Sequence, residues 1–312
     1  MSTSPISNSK SGISVRGLSP ATRVCRNPLT PRDSAILLAL WQYRYLDREQ
    51  IDQLFFRCRR STELCLQELR RRGLAADWPE WRMPRTYCLT PAGAQHAARL
   101  RHDNPRPAQR QAWRAMRHRY HMRHDVEANG CFVALAAGAR DLPDQGLYRW
   151  LGEASCRAAY EFDGSPASDG WGQYLLPDRE ITFDLEWDRG TEHGPRIRRK
   201  ASGYVSYFRG RREAELHHVL WVAPTRMREG ELHDLIEPVV EGFDNLCRFW
   251  TTAIETTAAV GWSGKAWLEI GGSTRRVAFA DLAGHPRSAR SAADCIATER
   301  WWERRPGGGE GA

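Results

Sequence analysis

Residues 174–193 read YLLPDREITFDLEWDRGTEH, and this stretch decides the architecture of the C-terminal half. From 181 to 188, apolar Ile181, Phe183, Leu185 and Trp187 alternate with Thr182, Asp184, Glu186 and Asp188. Strict alternation of this kind predicts a strand with one apolar face. The other face then carries three carboxylates. Like charges two residues apart repel, so the face must either be well solvated or be neutralised by a cation. The first alternative is the exposed polar side of an antiparallel sheet. The second is a Mg²⁺ site, because that ion is held by one or two carboxylates together with waters and phosphate oxygens. Asp178, following Pro177 at the turn into the strand, is expected to add a fourth carboxylate at the same end.

Outward from this strand the pattern alternates between helix and strand. Upstream, Val126, Phe132, Val133 and Leu135 predict a helix, and Trp150-Leu151 and Arg157 to Phe162 are strand-like, followed by a Gly/Ser loop over 163–172. Downstream, a helix is predicted from about Pro195 to Arg209, with Lys200, Tyr204 and Tyr207 on one face at i, i+4 and i+7. Lys200 stands out because the chain has only three lysines. A buried strand over His218–Val222 and a helix from Glu231 to about Phe243 follow. The succession is helix, three strands, helix, strand.

The N-terminal half has a different grammar. Thr30-Pro31 predicts a capped helix with Ile36, Leu37, Leu40 and Trp41 as its stripe, and Asp47 caps a second helix that buries Ile51, Leu54 and Phe55. Ser61 is placed to cap a third helix from Thr62 to about Arg72, burying Leu64 or Cys65, Leu66 and Leu69 and ending at Gly73. Residues 75–90 then predict a hairpin, with Trp78 and Trp81 as candidates for stacking on nucleic acid. Three helices, a hairpin and the string YCLTPAGAQHAARL resemble winged helix-turn-helix DNA-binding domains. In that reading Ser61, Thr62, Glu63 and Gln67 face base edges. Arg59, Arg60, Arg70 and Arg71 flank them for phosphates, and Arg82 and Arg85 on the wing touch the backbone.

The charge agrees with such a division. Residues 1–124 carry 23 Lys and Arg against 9 Asp and Glu, and residues 125–312 carry 23 against 29. A basic half of ordinary globular composition is the electrostatic footprint of a polyanion partner. Residues 99–123 hold eight arginines and one acid, and the prolines at 105 and 107 are expected to break any helix there before a new one starts near Ala108. His118, His121 and His124 recur every third residue, but no cysteine or fourth histidine stands at ligand spacing, which argues against a metal site built from them. Eight scattered cysteines without a CxxC pair predict reduced thiols. The longest apolar run, Cys131 to Ala139, is too short to span a bilayer and no secretory signal is visible, so a cytoplasmic protein is expected. No Walker, dinucleotide or nucleophile-elbow motif is present.

Two resemblances meet in the acidic segment. Pro177-Asp178 followed by Glu186-x-Asp188 resembles the PD-(D/E)XK nuclease core, in which the Asp and Glu bind metal and a Lys two residues on orients water. The longer string, through Arg189-Gly190-Thr191-Glu192 to Lys200 and Tyr204 and behind a winged helix, resembles the replication-relaxation family of plasmid and mobile-element proteins over roughly residues 28–260. The resemblance implies an α/β (α+β) chain. It would comprise a disordered tail (1–27), a winged helix (28–100), a basic linker (101–117), a nuclease-like α/β domain (118–280) and a peripheral helix with a disordered tail (281–312).

The implied function is that of a DNA-binding accessory protein of replication or mobilisation. Its partners would be double-stranded DNA, a relaxase or replication initiator, and a second copy of the chain, with no membrane. The lysine position of the nuclease motif is held by Asp188, which implies a degenerate site unless Lys200 restores the role. In a working site Asp178, Glu186 and Asp188 would hold Mg²⁺, and Lys200 would complete the catalytic set. A transcriptional regulator and an active Mg²⁺-dependent endonuclease are the alternatives.

Overall fold

The structure is a computed structural model that describes residues 28–78, 84–117, 121–160, 167–209, 216–243 and 247–297. Helix α1 (Pro31–Tyr43) begins in a capping box: Thr30 Oγ1 accepts from the Asp33 N–H at 3.1 Å and the Asp33 carboxylate takes the Thr30 N–H at 2.9 Å. A two-residue strand, β1 (Leu46–Asp47), leads into α2 (Arg48–Phe55), where Asp47 and Gln50 form a second capping box. Helix α3 (Arg59–Arg71) starts earlier than predicted. Its N-cap is Cys58, so Ser61 lies inside the first turn, and the buried side is Thr62, Leu66 and Leu69 while Leu64 is exposed. Gly73 ends α3 at φ +68°, with the Leu74 N–H reaching back to Leu69 O, a turn that favours glycine.

Strands β2 (Ala75–Trp78) and β3 (Thr86–Leu89) pair antiparallel, and β1 joins the far side of β3. Helix α4 (Pro91–Arg101) follows, capped by Thr90, and then α5 (Pro105–Arg117). The prolines at 105 and 107 open α5 instead of breaking it. They occupy the first turn, where a missing N–H costs nothing. The basic stretch is thus a helix packed against α4, with Ala108, Ala112 and Ala115 buried.

The second half begins with α6 (Met122–Gly138), β4 (Gly146–Gly152) and α7 (Glu153–Tyr160). The strand predicted over 157–162 is instead this helix as far as 160. Its three alanines favour helix, and Arg157 pairs with Glu153 one turn back. Then come β5 (Gly170–Leu175), β6 (Arg179–Trp187), α8 (Gly194–Arg209), β7 (His217–Ala223), α9 (Arg226–Val240) and β8 (Cys247–Ala253). Helix α10 (Ile254–Val260) and strands β9 (Lys265–Glu269), β10 (Val277–Ala278) and β11 (His285–Pro286) complete the described chain. The peripheral helix expected from residue 281 is absent among the described residues. Residues 282–297 run extended with one short 3-10 turn, and Trp301 and Trp302 lie outside the described residues.

The main sheet runs β10-β9-β8-β7-β6-β5-β4, with β11 on the start of β6. Strands β4, β5 and β6 form an antiparallel meander, and β6, β7 and β8 are parallel, joined by α8 and α9 as crossovers. Ile181, Phe183, Leu185 and Trp187 of β6 face the side covered by α6, in the same apolar core as Phe132 and Trp150. Residues alternating with them on β7, Val219, Trp221 and Ala223, face α8 and α9.

The N-terminal unit is not a separate body. Tyr43 stacks on Trp150 at 3.6 Å, Asn129 of α6 donates to the carbonyls of Tyr43 and Tyr45, and Gln50 donates to Val126 O at 2.7 Å. One apolar core runs from Ile36 to Ala297. No described helix is long and apolar enough to cross a membrane, and the seven described cysteines are free.

Candidate functional site

The three carboxylates of β6 do share one face, and that face is buried. Asp184, Glu186 and Asp188 are 3%, 1% and 4% exposed because α8 and α9 lie over them. Solvation does not relieve their repulsion, since all three are buried. Each has a protein cation or imidazole of its own. Asp184 pairs with His217 at 2.7 Å, Glu186 accepts from Lys200 Nζ at 2.9 Å, and Asp188 accepts from Arg228 Nε at 2.6 Å. Tyr204, one turn after Lys200 on α8, donates to the other oxygen of Glu186 at 2.7 Å. Asp188 Oδ1 also accepts the Gly190 N–H, so this carboxylate is committed to α9 and to the loop before α8.

Asp178 lies elsewhere. It is 70% exposed, pairs with Arg179, and sits beyond the opposite end of β6 from Glu186, about 26 Å away by the rise of a strand. The residue that faces Glu186 is Asp169. The tight turn closed by Leu176 N–H to Arg179 O sets the β5–β6 register, in which Gly170 pairs with Leu185 and the preceding Asp169 comes opposite Glu186. Its own N–H bonds Leu185 O at 3.0 Å and its Oδ2 accepts the Trp187 N–H at 2.8 Å. The signal for it in the sequence is Asp169-Gly170 at the mouth of a hairpin, visible only once the turn, and hence the register, is fixed.

His124 of α6 approaches Asp169 Oδ2 at 3.4 Å. Of the two described members of the spaced histidine set, His124 enters the site and His121 is exposed, and His118 lies outside the described residues. Ligand atoms of His124, Asp125 and Glu153 lie within 4.8 Å of one another. Asp125 holds Arg44 of the α1 C-cap at 3.0 Å with one oxygen, while its other oxygen is buried without a hydrogen bond. Glu192 closes the cluster, 3.4 Å from Lys200.

The electrostatics follow from burial set against pairing. Burial pushes the Glu186 carboxyl up to about 7 despite Lys200 and Tyr204. Lys200 is also desolvated, yet Glu186 and Asp169 hold its ammonium charged. Burial works against charge on His124, but Asp125 and Asp169 outweigh it and lift the imidazole to about 10. Asp169 is held below the ordinary carboxylate range because His124 and Lys200 overcome its desolvation. Asp169 and Glu186 face each other across adjacent strands beside Lys200, and carboxylates are the donors a hard divalent cation takes, whereas His124, held protonated by Asp125 and Asp169, has no lone pair to offer until it gives up its proton.

On the N-terminal unit, Arg59, Arg60, Ser61, Glu63, Gln67, Arg70 and Arg71 are exposed along α3. Thr62 is not: it is fully buried and bonds Asp52 and Cys58 O, so it holds α3 to α2 and is out of reach of a groove. Most of the arginines are already paired. Arg59 lies on Glu63, Arg70 and Arg85 on Asp77, and Arg71 on Glu68. Trp78 is half-buried against Tyr45 and Cys88, which fits a core role, whereas Trp81 and Arg82 lie outside the described residues.

Residues 37–220 match the family model described as replication-relaxation, a span from α1 to β7 that takes in both the three-helix unit and the Asp169–Glu186–Lys200 cluster. No curated protein matches the chain.

Proposed function

Because the chain belongs to the replication-relaxation family, with a role in replication or mobilisation, we propose that it is a DNA-binding protein of plasmid or mobile-element DNA that also cuts it. The winged-helix-like unit of α1–α5 would bind the duplex and the α/β unit would hydrolyse a phosphodiester bond. The observation that carries cleavage is the convergence of Asp169, Glu186 and Lys200 at one end of β5 and β6. The order α6, β4, α7, β5, β6, α8, β7, a three-stranded meander followed by a helical crossover to a parallel strand, supports a nuclease-like core with α7 inserted after its first strand, as does a lysine supplied from α8 where Asp188 is engaged by Arg228.

Asp169 and Glu186 are the residues that would hold a divalent cation, with His124 beside them. Such an ion supplies Lewis-acid polarisation of the phosphate and a more acidic water. The chain's own residues do the positioning. Tyr204 and Lys200 fix the Glu186 carboxylate, and His124 orients Asp169. Lys200, partly open to solvent, is placed to stabilise charge developing on the phosphate as water adds to phosphorus and the sugar oxygen leaves with a proton. A relaxase or replication initiator and a second copy of the chain are the protein partners this reading expects.

A second reading has its own observation. Glu186, Asp169 and Asp125 are already neutralised by Lys200, His124 and Arg44, which suits a degenerate core retained for DNA binding in an accessory protein or a regulator. Nicking of supercoiled plasmid in Mg²⁺ or Mn²⁺ separates the two. Cleavage by the wild type that falls about a hundredfold or more in Glu186→Gln and Lys200→Met supports the nuclease. No cleavage, with gel shifts unchanged in both variants, supports the accessory role.

A further inference from the structure

The free positive charge of the N-terminal unit is not concentrated where a groove-reading helix would need it. On α3, Arg59, Arg70 and Arg71 each hold a carboxylate, and two of those, Glu63 and Glu68, are themselves 53% and 36% exposed beside them. An arginine that leaves such a partner for a phosphate brings the abandoned carboxylate close to the same phosphate. The net charge delivered is small, and net charge governs how many condensed counterions DNA releases.

Helix α5 is the opposite case. Its sequence, PRPAQRQAWRAMR, contains no acid. Arg106, Arg110, Arg114 and Arg117 are exposed at i, i+4, i+8 and i+11, one long face, and none makes an ion pair among the described residues. The other face is nailed down: Ala108, Ala112 and Ala115 are buried, and Tyr45 donates to Ala115 O at 2.6 Å. Arg117 lies over the ring of Trp113, half exposed on the same helix, with its guanidinium carbon 5.3 Å from the centroid, which holds that cation outward. This is a row of four cations on a packed helix, none with an ion-pair partner among the described residues.

We propose that α5, and not α3, is the surface that grips the phosphate backbone of duplex DNA, leaving α3 to read base edges. The inference rests on the DNA-binding reading above and adds where the grip lies. A row of guanidinium groups on a fixed helix is complementary to a phosphate strand in charge and in repeat, and it gives affinity without sequence preference.

The test is the salt dependence of binding of the full chain to a fluorescent random-sequence duplex, followed by anisotropy. With about 0.9 of log–log slope per phosphate contact, replacing Arg106, Arg110, Arg114 and Arg117 together by Gln flattens the slope by about 3.6. The matching Lys quadruple keeps the wild-type slope, which separates charge from folding. Arg59→Gln, Arg70→Gln and Arg71→Gln combined change the slope by no more than about 1. An α5 Gln variant with the wild-type slope, or an α3 variant that loses the larger share, overturns the proposal. So does tighter binding to the single strand than to the duplex. A wild type whose binding ignores salt removes the DNA-binding reading itself, a separate failure.

Discussion

Asp184, Glu186 and Asp188 pose a problem in charge repulsion that the fold solves one residue at a time. The alternation that puts them on one face is legible in the sequence. Their neutralisation is not, because His217, Lys200 and Arg228 arrive from two helices and a strand 14 to 40 residues downstream. Arg228→Ala leaves Asp188 buried and unpaired, and a urea melt should register a loss of about 3 kcal/mol. Asp178→Ala, at an exposed site, should change stability by less than about 0.5 kcal/mol. His218 makes a pH prediction. Burial holds its imidazole down to about 3, in a neutral form whose Nδ1 accepts from the Trp250 indole and whose Nε2 donates to Ala283 O. The unfolded chain takes up the proton near 6.5 and the folded one does not, so stability is full above 6.5 and falls as pH drops towards 3. At pH 5 the loss should be about 2 kcal/mol, measurable as a fall in the urea midpoint of unfolding and absent in a variant that lacks the imidazole.

At the scale of elements, helices α1, α2 and α8 and strands β6 and β7 were legible from caps and periodicity. Helix α5 was misread because its prolines look like breakers until they are placed in a first turn, and α7 because a short Ala-rich segment carries little period. The deeper miss is register. Asp169 is distant from Glu186 along the chain and opposite it in space, and only the turn at 176–179 decides that. Strand β5 is also where the sheet tolerates least. A Cβ on Gly172 would stand 2.4 Å from Phe183 and 2.9 Å from Phe132, two rings that stack at 5.5 Å. Gly172→Ala should therefore cost about 1–3 kcal/mol by thermal melt. A neutral result would mean that the aromatic layer under the sheet is loosely packed.

For the whole molecule, the basic and acidic halves of the chain suggest two independent domains, but the packing joins them. Tyr43 on Trp150, Asn129 on the α1–β1 turn and Gln50 on α6 carry the apolar core across the junction. Calorimetry should accordingly give one unfolding transition, and two well-separated peaks would refute a shared core. Arg44, on Asp125 beside His124, ties the N-terminal unit to the acidic cluster. The most direct measurement of the central claim compares Asp169→Asn with Asp178→Asn in metal-dependent nicking of supercoiled plasmid. The account predicts that Asp169→Asn abolishes nicking and Asp178→Asn leaves it at the wild-type rate. Loss of nicking in Asp178→Asn, with Asp169→Asn unaffected, would contradict it.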